Sequence, residues 1–213
     1  MTETTSIRSA LSAIFGVAIR PQSYARAFYS LIAFPLGTLY FIFLAIGLSL
    51  GLGLILLWIG FFVLAFVLVA SWGLAAFERQ QAILLLDADV PPMRDRSEPS
   101  ADFFQHLKRF ISNPATWKAP VFLLLKFPLG IVSFVMMLTS FCLGTALLLA
   151  PFYYSWSPPQ IGYWYADTLG EALVCSLAGA AVLLVALHLA NGLGWIWKQL
   201  AVSLLGHTVK AEA

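Results

Sequence analysis

Long apolar stretches broken by short polar ones organise this chain. From Leu36 to Phe77 there is no charged residue. Crossing a hydrocarbon core ~30 Å thick takes about 20 helical residues at ~1.5 Å each. The 42 residues of that stretch therefore predict two spans joined by a tight turn, with Gly47, Gly51, Gly53 and Trp58 near it. Leu129 to Ala150 predicts a third span, and Ala172 to about Leu193 a fourth. The polar stretches have a different period. After Ser100-Ala101-Asp102, Phe103, Leu107 and Phe110 share one helical face with Phe104 and Ile111 beside them, while Gln105, Lys108 and Arg109 are polar. That pattern predicts a helix lying in the membrane interface. A docking face for a cytoplasmic partner is the rival use of the stripe.

The pattern occurs twice. Phe34-Pro35-Leu36-Gly37 recurs 93 residues on as Phe127-Pro128-Leu129-Gly130. The same offset carries Pro21 to Pro114, Tyr24 to Trp117, Phe41 to Phe134 and Gly51 to Gly144. It also places Leu11, Ile14 and Val17 where Phe104, Leu107 and Phe110 stand. Each copy therefore begins with a surface helix ended by Pro21 or Pro114. Further on, Gly73-Leu74-Ala75 matches Gly192-Leu193-Gly194 and Arg79 matches Lys198, at an offset of 119. The second copy thus holds 26 extra residues, between its two spans. The expected architecture is an all-α integral membrane protein: one membrane domain, residues 1–213, with four transmembrane helices as two tandem repeats (6–92 and 99–206). An amphipathic interfacial helix precedes each repeat. A loop at 151–171 and a short tail at 207–213 complete it.

Composition agrees. The chain is 61% hydrophobic and 10% charged, against roughly 25% charged for a soluble domain. All 12 Lys and Arg lie before span one, between spans two and three, or after span four. The positive-inside rule then predicts a multi-pass protein of the bacterial cell membrane with both termini cytoplasmic. No cleavable signal peptide is expected, because the first apolar run is too long and continues into a second span. Cys142 and Cys175 fall inside spans three and four and read as buried thiols, without metal-ligand spacing.

Only one outer connection is enlarged, and enlarged loops on rigid scaffolds often carry function. Pro151 to Glu171 holds Phe152, Tyr153, Tyr154, Trp156, Tyr163, Trp164 and Tyr165, with Asp167 and Glu171 its only charges. Rings beside a carboxylate can grip a cationic or amphipathic ligand, which makes Trp156, Tyr163, Trp164, Tyr165, Asp167 and Glu171 the candidate binding residues. The plainer reading is an aromatic belt at the headgroup level, with Thr168-x-x-Glu171 a capping box for span four. Counting back from Ala150 puts Lys126 at the inner surface, its stem snorkelling. Glu78 and Arg79 read as an interfacial ion pair, and His188 and Asn191 as interhelical hydrogen-bonding groups. Gly47-x-x-x-Gly51 and its counterpart Ser140-x-x-x-Gly144 predict close helix packing, spans one and three touching there. The same motif also suits a homodimer. Pro35, Gly37, Pro128 and Gly130 are candidate hinges, a static kink being the simpler alternative.

Enzyme signatures are weak: no Gly-rich phosphate loop or His-Glu-x-x-His pair occurs, and Gly47-Leu48-Ser49-Leu50-Gly51, which has the Gly-x-Ser-x-Gly spacing, falls inside an apolar span and not on a strand-to-helix turn. The expectation is a non-enzyme with no metal and no cofactor, whose surroundings are the lipid bilayer and not nucleic acid. The twin Phe-Pro-Leu-Gly motifs, Asn113-Pro114-Ala115-Thr116-Trp117, the Gly-Leu-Ser-Leu-Gly-Leu-Gly run at 47–53 and Asp167-Thr168-Leu169-Gly170-Glu171-Ala172 together resemble the bacterial putative sensor domain family. That resemblance covers about residues 21–206 and implies a membrane-embedded input module of the kind often attached to histidine kinases. It supplies no catalytic or binding residues. The chain ends soon after span four, so the resemblance implies a signal-input role and not kinase activity; a separate histidine kinase or transcription regulator is the expected reader of the signal. A small transporter or transporter subunit is the alternative.

Overall fold

The computed structural model describes residues 16–91, 114–162 and 164–206. Four long helices carry the chain: α1 (Pro21–Gly53), α2 (Ile59–Leu86), α3 (Pro114–Leu148) and α5 (Leu169–Leu205). All four are long and apolar enough to cross a membrane. A one-turn 3₁₀ helix (Ile55–Leu57) joins α1 to α2. The short helix α4 (Ala150–Tyr153) and a two-stranded hairpin, β1 (Gln160–Ile161) and β2 (Trp164–Tyr165), join α3 to α5. The interfacial helix expected near residues 103–111, and most of the one expected before Pro21, lie outside the described residues. Residues 16–19 are helical and stop at Arg20. Pro21 and Pro114 open α1 and α3, where the missing N–H costs nothing and the fixed φ suits the first turn.

The helices run 33, 28, 35 and 37 residues, well past the spans read from hydropathy. The excess is at the basic ends. Their faces are apolar all round, as expected of helices that bury one side in protein and offer the other to lipid. Exposed Leu39, Phe66, Leu84, Val132 and Leu177 make up part of that outer surface.

Contacts divide the chain into two compact units, Met1–Leu31 with Ser133–Leu193, and Ile32–Val132 with Gly194–Ala213. In the first, Ala27, Met137 and Ala190 form a buried cluster ringed by Leu31, Phe141, Leu189 and Leu193. A second cluster, Ala150, Ala166, Ala172 and Cys175, seats the hairpin on the helix ends through Leu147, Tyr153 and Tyr154. In the second unit the core is lined by Tyr40, Leu44, Val67, Ala75, Glu78, Phe122, Leu123, Lys126 and Trp197, all nearly inaccessible.

Glycines set the helix spacings. A Cβ on Gly37 would lie 2.7 Å from the Lys126 carbonyl oxygen, and one on Gly130 would lie 2.8 Å from the Ala33 carbonyl oxygen. This α1–α3 crossing is reciprocal: residues 93 apart exchange roles. Within each helical hairpin the glycines also correspond. Gly51 packs on Leu64 and faces Gly60, and Gly144 packs on Leu183 and faces Gly179. The expectation for these small residues is therefore revised. Gly47 and Gly51 close α1 on α2, with Gly47 on Val67, and Gly144 closes α3 on α5. The α1–α3 contact in the second unit falls at the Phe-Pro-Leu-Gly motifs instead, where Gly37 and Gly130 each meet the backbone of the other helix.

Candidate functional site

One side chain from each long helix converges in the second unit. The Lys126 Nζ of α3 forms a salt bridge and hydrogen bond with Glu78 Oε2 of α2, and both side chains are fully buried. The Tyr40 hydroxyl of α1 donates to Glu78 Oε1 at 2.7 Å. Lys126 Nζ stands 5.9 Å from the ring centroids of Tyr40 and of Trp197 of α5. Two ring faces and a carboxylate thus surround the ammonium, and a phenol supports the carboxylate. Carrying an ion out of water costs several kcal/mol, and pairing with good geometry offsets it. Charges within a membrane-spanning bundle mark functional sites by default.

This corrects two expectations. Lys126 does not snorkel to the surface. Glu78 pairs across helices with Lys126, while Arg79 turns to the chain leaving α2, donating to the carbonyls of Val90 at 2.6 Å and Pro91 at 3.1 Å. Lys198, the counterpart of Arg79, donates to the Asp87 carbonyl at 2.6 Å. Two cations from different helices thus hold the exit of α2, where Asp87 takes φ 53° and its N–H returns to the helix end. Ala88 and Val90 are buried beside them.

A second polar set is found in the first unit. Arg26 Nη1 donates to Asn191 Oδ1 at 2.9 Å, and Asn191 Nδ2 donates to Ser23 Oγ at 3.2 Å. Asn191 is interhelical as expected. His188 differs: it is exposed and bonds the Leu184 carbonyl of its own helix at 2.9 Å. Cys175 is buried but Cys142 is exposed, facing outward from α3.

The aromatic loop forms a small tethered hairpin. Gln160 pairs with Tyr165 and Ile161 with Trp164. Gly162 takes φ 64° at the turn, a left-handed conformation that glycine adopts without penalty. Trp156 is 85% exposed and Tyr165 49%, and Asp167 is exposed. Tyr163 lies outside the described residues, and Trp164 is placed by its backbone alone. Glu171 completes the capping box: Oε2 accepts from the Thr168 N–H at 3.1 Å and its hydroxyl at 2.9 Å, and the Glu171 N–H donates to Thr168 Oγ1 at 3.3 Å. Thr168→Ala should lower stability by about 1 kcal/mol, read by thermal unfolding in detergent. Beside the hairpin, Phe141, Cys142, Thr145, Ala146, Leu149 and Tyr153 line an open apolar recess of about 440 Å³. The Tyr153 hydroxyl folds back onto the Ala146 carbonyl at 2.9 Å.

Of the other residues singled out by sequence, Pro35 and Pro128 sit inside α1 and α3, which continue through them. Gly37 and Gly130 form the helix crossing, and Ser140 is half-buried on α3. Among the described residues no group of three or more His, Cys, Asp or Glu is placed to hold a metal ion.

Four long apolar helices around a buried ion pair define a polytopic helical membrane protein. The chain belongs to the "Putative sensor" family, whose model matches residues 29–205. No curated protein and no solved structure matches it. The matched stretch includes Tyr40, Glu78, Lys126 and Trp197, as well as the hairpin.

Proposed function

We propose that the protein is a non-catalytic signal-input module of the cell membrane. It detects an envelope or amphiphilic signal at the aromatic hairpin and passes it to a cytoplasmic kinase or regulator. The observation that carries this reading is the meeting of one side chain from every long helix at the Glu78–Lys126 pair. A signal needs an element with two discrete arrangements that a ligand binds unequally. A buried ion pair supplies one, since it is either closed in good geometry or open at a cost of several kcal/mol.

Other features support the direction of flow. Helix α5 runs unbroken from the hairpin, past Glu171, to Trp197 and Lys198. The clamp of Arg79 and Lys198 on residues 87–91 ties two helix ends to the start of the segment between the spans. The recess beside the hairpin suits the hydrocarbon part of an amphiphile. From 127 to 197 the only charges are Asp167 and Glu171, which favours a cationic head over an anionic one.

Replacing Trp156, Trp164 and Tyr165 together by alanine should abolish the response of a downstream reporter at unchanged membrane abundance. An unaltered response removes the hairpin from the reading. Tags fused near Ser157 and Ser97 should report opposite sides of the membrane; the same side for both would overturn the orientation. Co-purification of a kinase or regulator supports the input role, and co-purification of an ATPase subunit points to a transporter.

A further inference from the structure

We infer that the polar side chains buried where the two tandem halves meet are a matching code, which makes each half dock on the other and not on a copy of itself. Near the α1–α3 crossing, positions related by the repeat hold different residues. Lys126 stands where the first half has Ala33, and Glu78 where the second has Trp197. Ser133 stands where the first has Tyr40. The first half thus brings the carboxylate and its phenol, and the second the ammonium and an indole face.

The crossing itself discriminates nothing. Its glycines and backbone contacts are the same from either side, so two first halves, or two second halves, could cross equally well there. The side chains decide. Two first halves would set Glu78 of each against Ala33 of the other, burying two carboxylates without a cation. Two second halves would set Lys126 of each against Trp197 of the other, burying two ammoniums without an anion. Each unpaired buried ion costs several kcal/mol, so only the mixed pairing satisfies both charges. The first unit repeats the logic with other residues, of which Ser23 is buried and Arg26 and Asn191 are half-buried. Ser23 and Arg26 come from the first half and Asn191 from the second, while their counterparts are Thr116, Ala119 and Trp72. A polar group at one position in a helix interface fixes partner and register in the same way.

The test uses the full chain, purified in mild detergent, with a protease site inserted between Ser97 and Glu98. Two preparations carry different N-terminal tags. After cutting, they are mixed, warmed to permit exchange, and captured on one tag. The wild-type first half should retain a second half and no differently tagged first half. Glu78→Lys should weaken retention at least tenfold, and the charge-swapped Glu78→Lys/Lys126→Glu protein should recover it to within about threefold. A neutral Glu78→Leu/Lys126→Met protein should still pair but capture first halves at least tenfold more, and more again with Asn191→Leu added. Strict mixed pairing in the neutral protein, or no recovery in the charge swap, would overturn the code.

Discussion

Replacing Lys126 by methionine should lower the stability of the protein by about 3–5 kcal/mol, although methionine has nearly the volume of lysine and suits an apolar bundle better. The loss comes from Glu78, which keeps its phenol partner but is left buried without its cation. Lys126→Ala should cost more, because a cavity is added to the unpaired charge. Removing the whole set should cost little. The triple variant Tyr40→Phe/Glu78→Leu/Lys126→Met leaves neither an ion nor an unpaired hydroxyl, and buried ion pairs exchanged for apolar residues of similar volume are often neutral or stabilising by about 1–4 kcal/mol. Unfolding in detergent micelles, followed by tryptophan fluorescence, measures the whole series. A single variant far below wild type beside a triple variant at or above it would show that stability is not what retains the ion pair. A Lys126→Met protein as stable as wild type would show that Glu78 is satisfied without Lys126.

The spans were legible from hydropathy because lipid demands a run of apolar residues and tolerates few charges. The ends of the helices were not. Counting about 20 residues inward from Ala150 stops near Gly130, yet α3 continues to Pro114. Beyond the last residue that lipid requires, helix length is set by packing, which hydropathy does not see. Lys126 was misplaced for that reason: the neighbouring helices, and not the water boundary, surround it. Its partner is 48 residues away, so no local pattern shows the pair. The sequence offsets of 93 and 119 held the clue, since they carry Lys126 onto Ala33 and Glu78 onto Trp197, both uncharged. Two opposite charges that both fall on uncharged residues at such offsets are candidates for each other. The capping box at Thr168 and Glu171 was legible because it is local. The partners of Gly47 and Gly51 were not, since a small-residue motif says that something comes close without saying what.

Gly37→Ala and Gly130→Ala should each destabilise the protein, against the usual direction of that substitution in a helix. Alanine in place of a mid-helix glycine normally stabilises by roughly 1 kcal/mol. Here the added methyl would meet a backbone carbonyl at 2.7 Å or 2.8 Å, and backbone cannot turn aside as a side chain can. Parting the helices also strains the neighbouring stack of Phe41 on Phe127, centroids 4.6 Å apart, and loosens the polar set that Lys126 anchors. Overpacking of this kind costs about 1–3 kcal/mol, so the net effect should be a loss. Gly73 and Gly192 serve as controls, being helical counterparts with open space around them; alanine there should be neutral or stabilising. The double variant Gly37→Ala/Gly130→Ala should cost less than the sum of its parts. Both methyls are relieved by the same separation of α1 from α3, and once one has forced it the other fits. Strictly additive losses would mean that the two contacts yield independently and that the crossing does not move as one body.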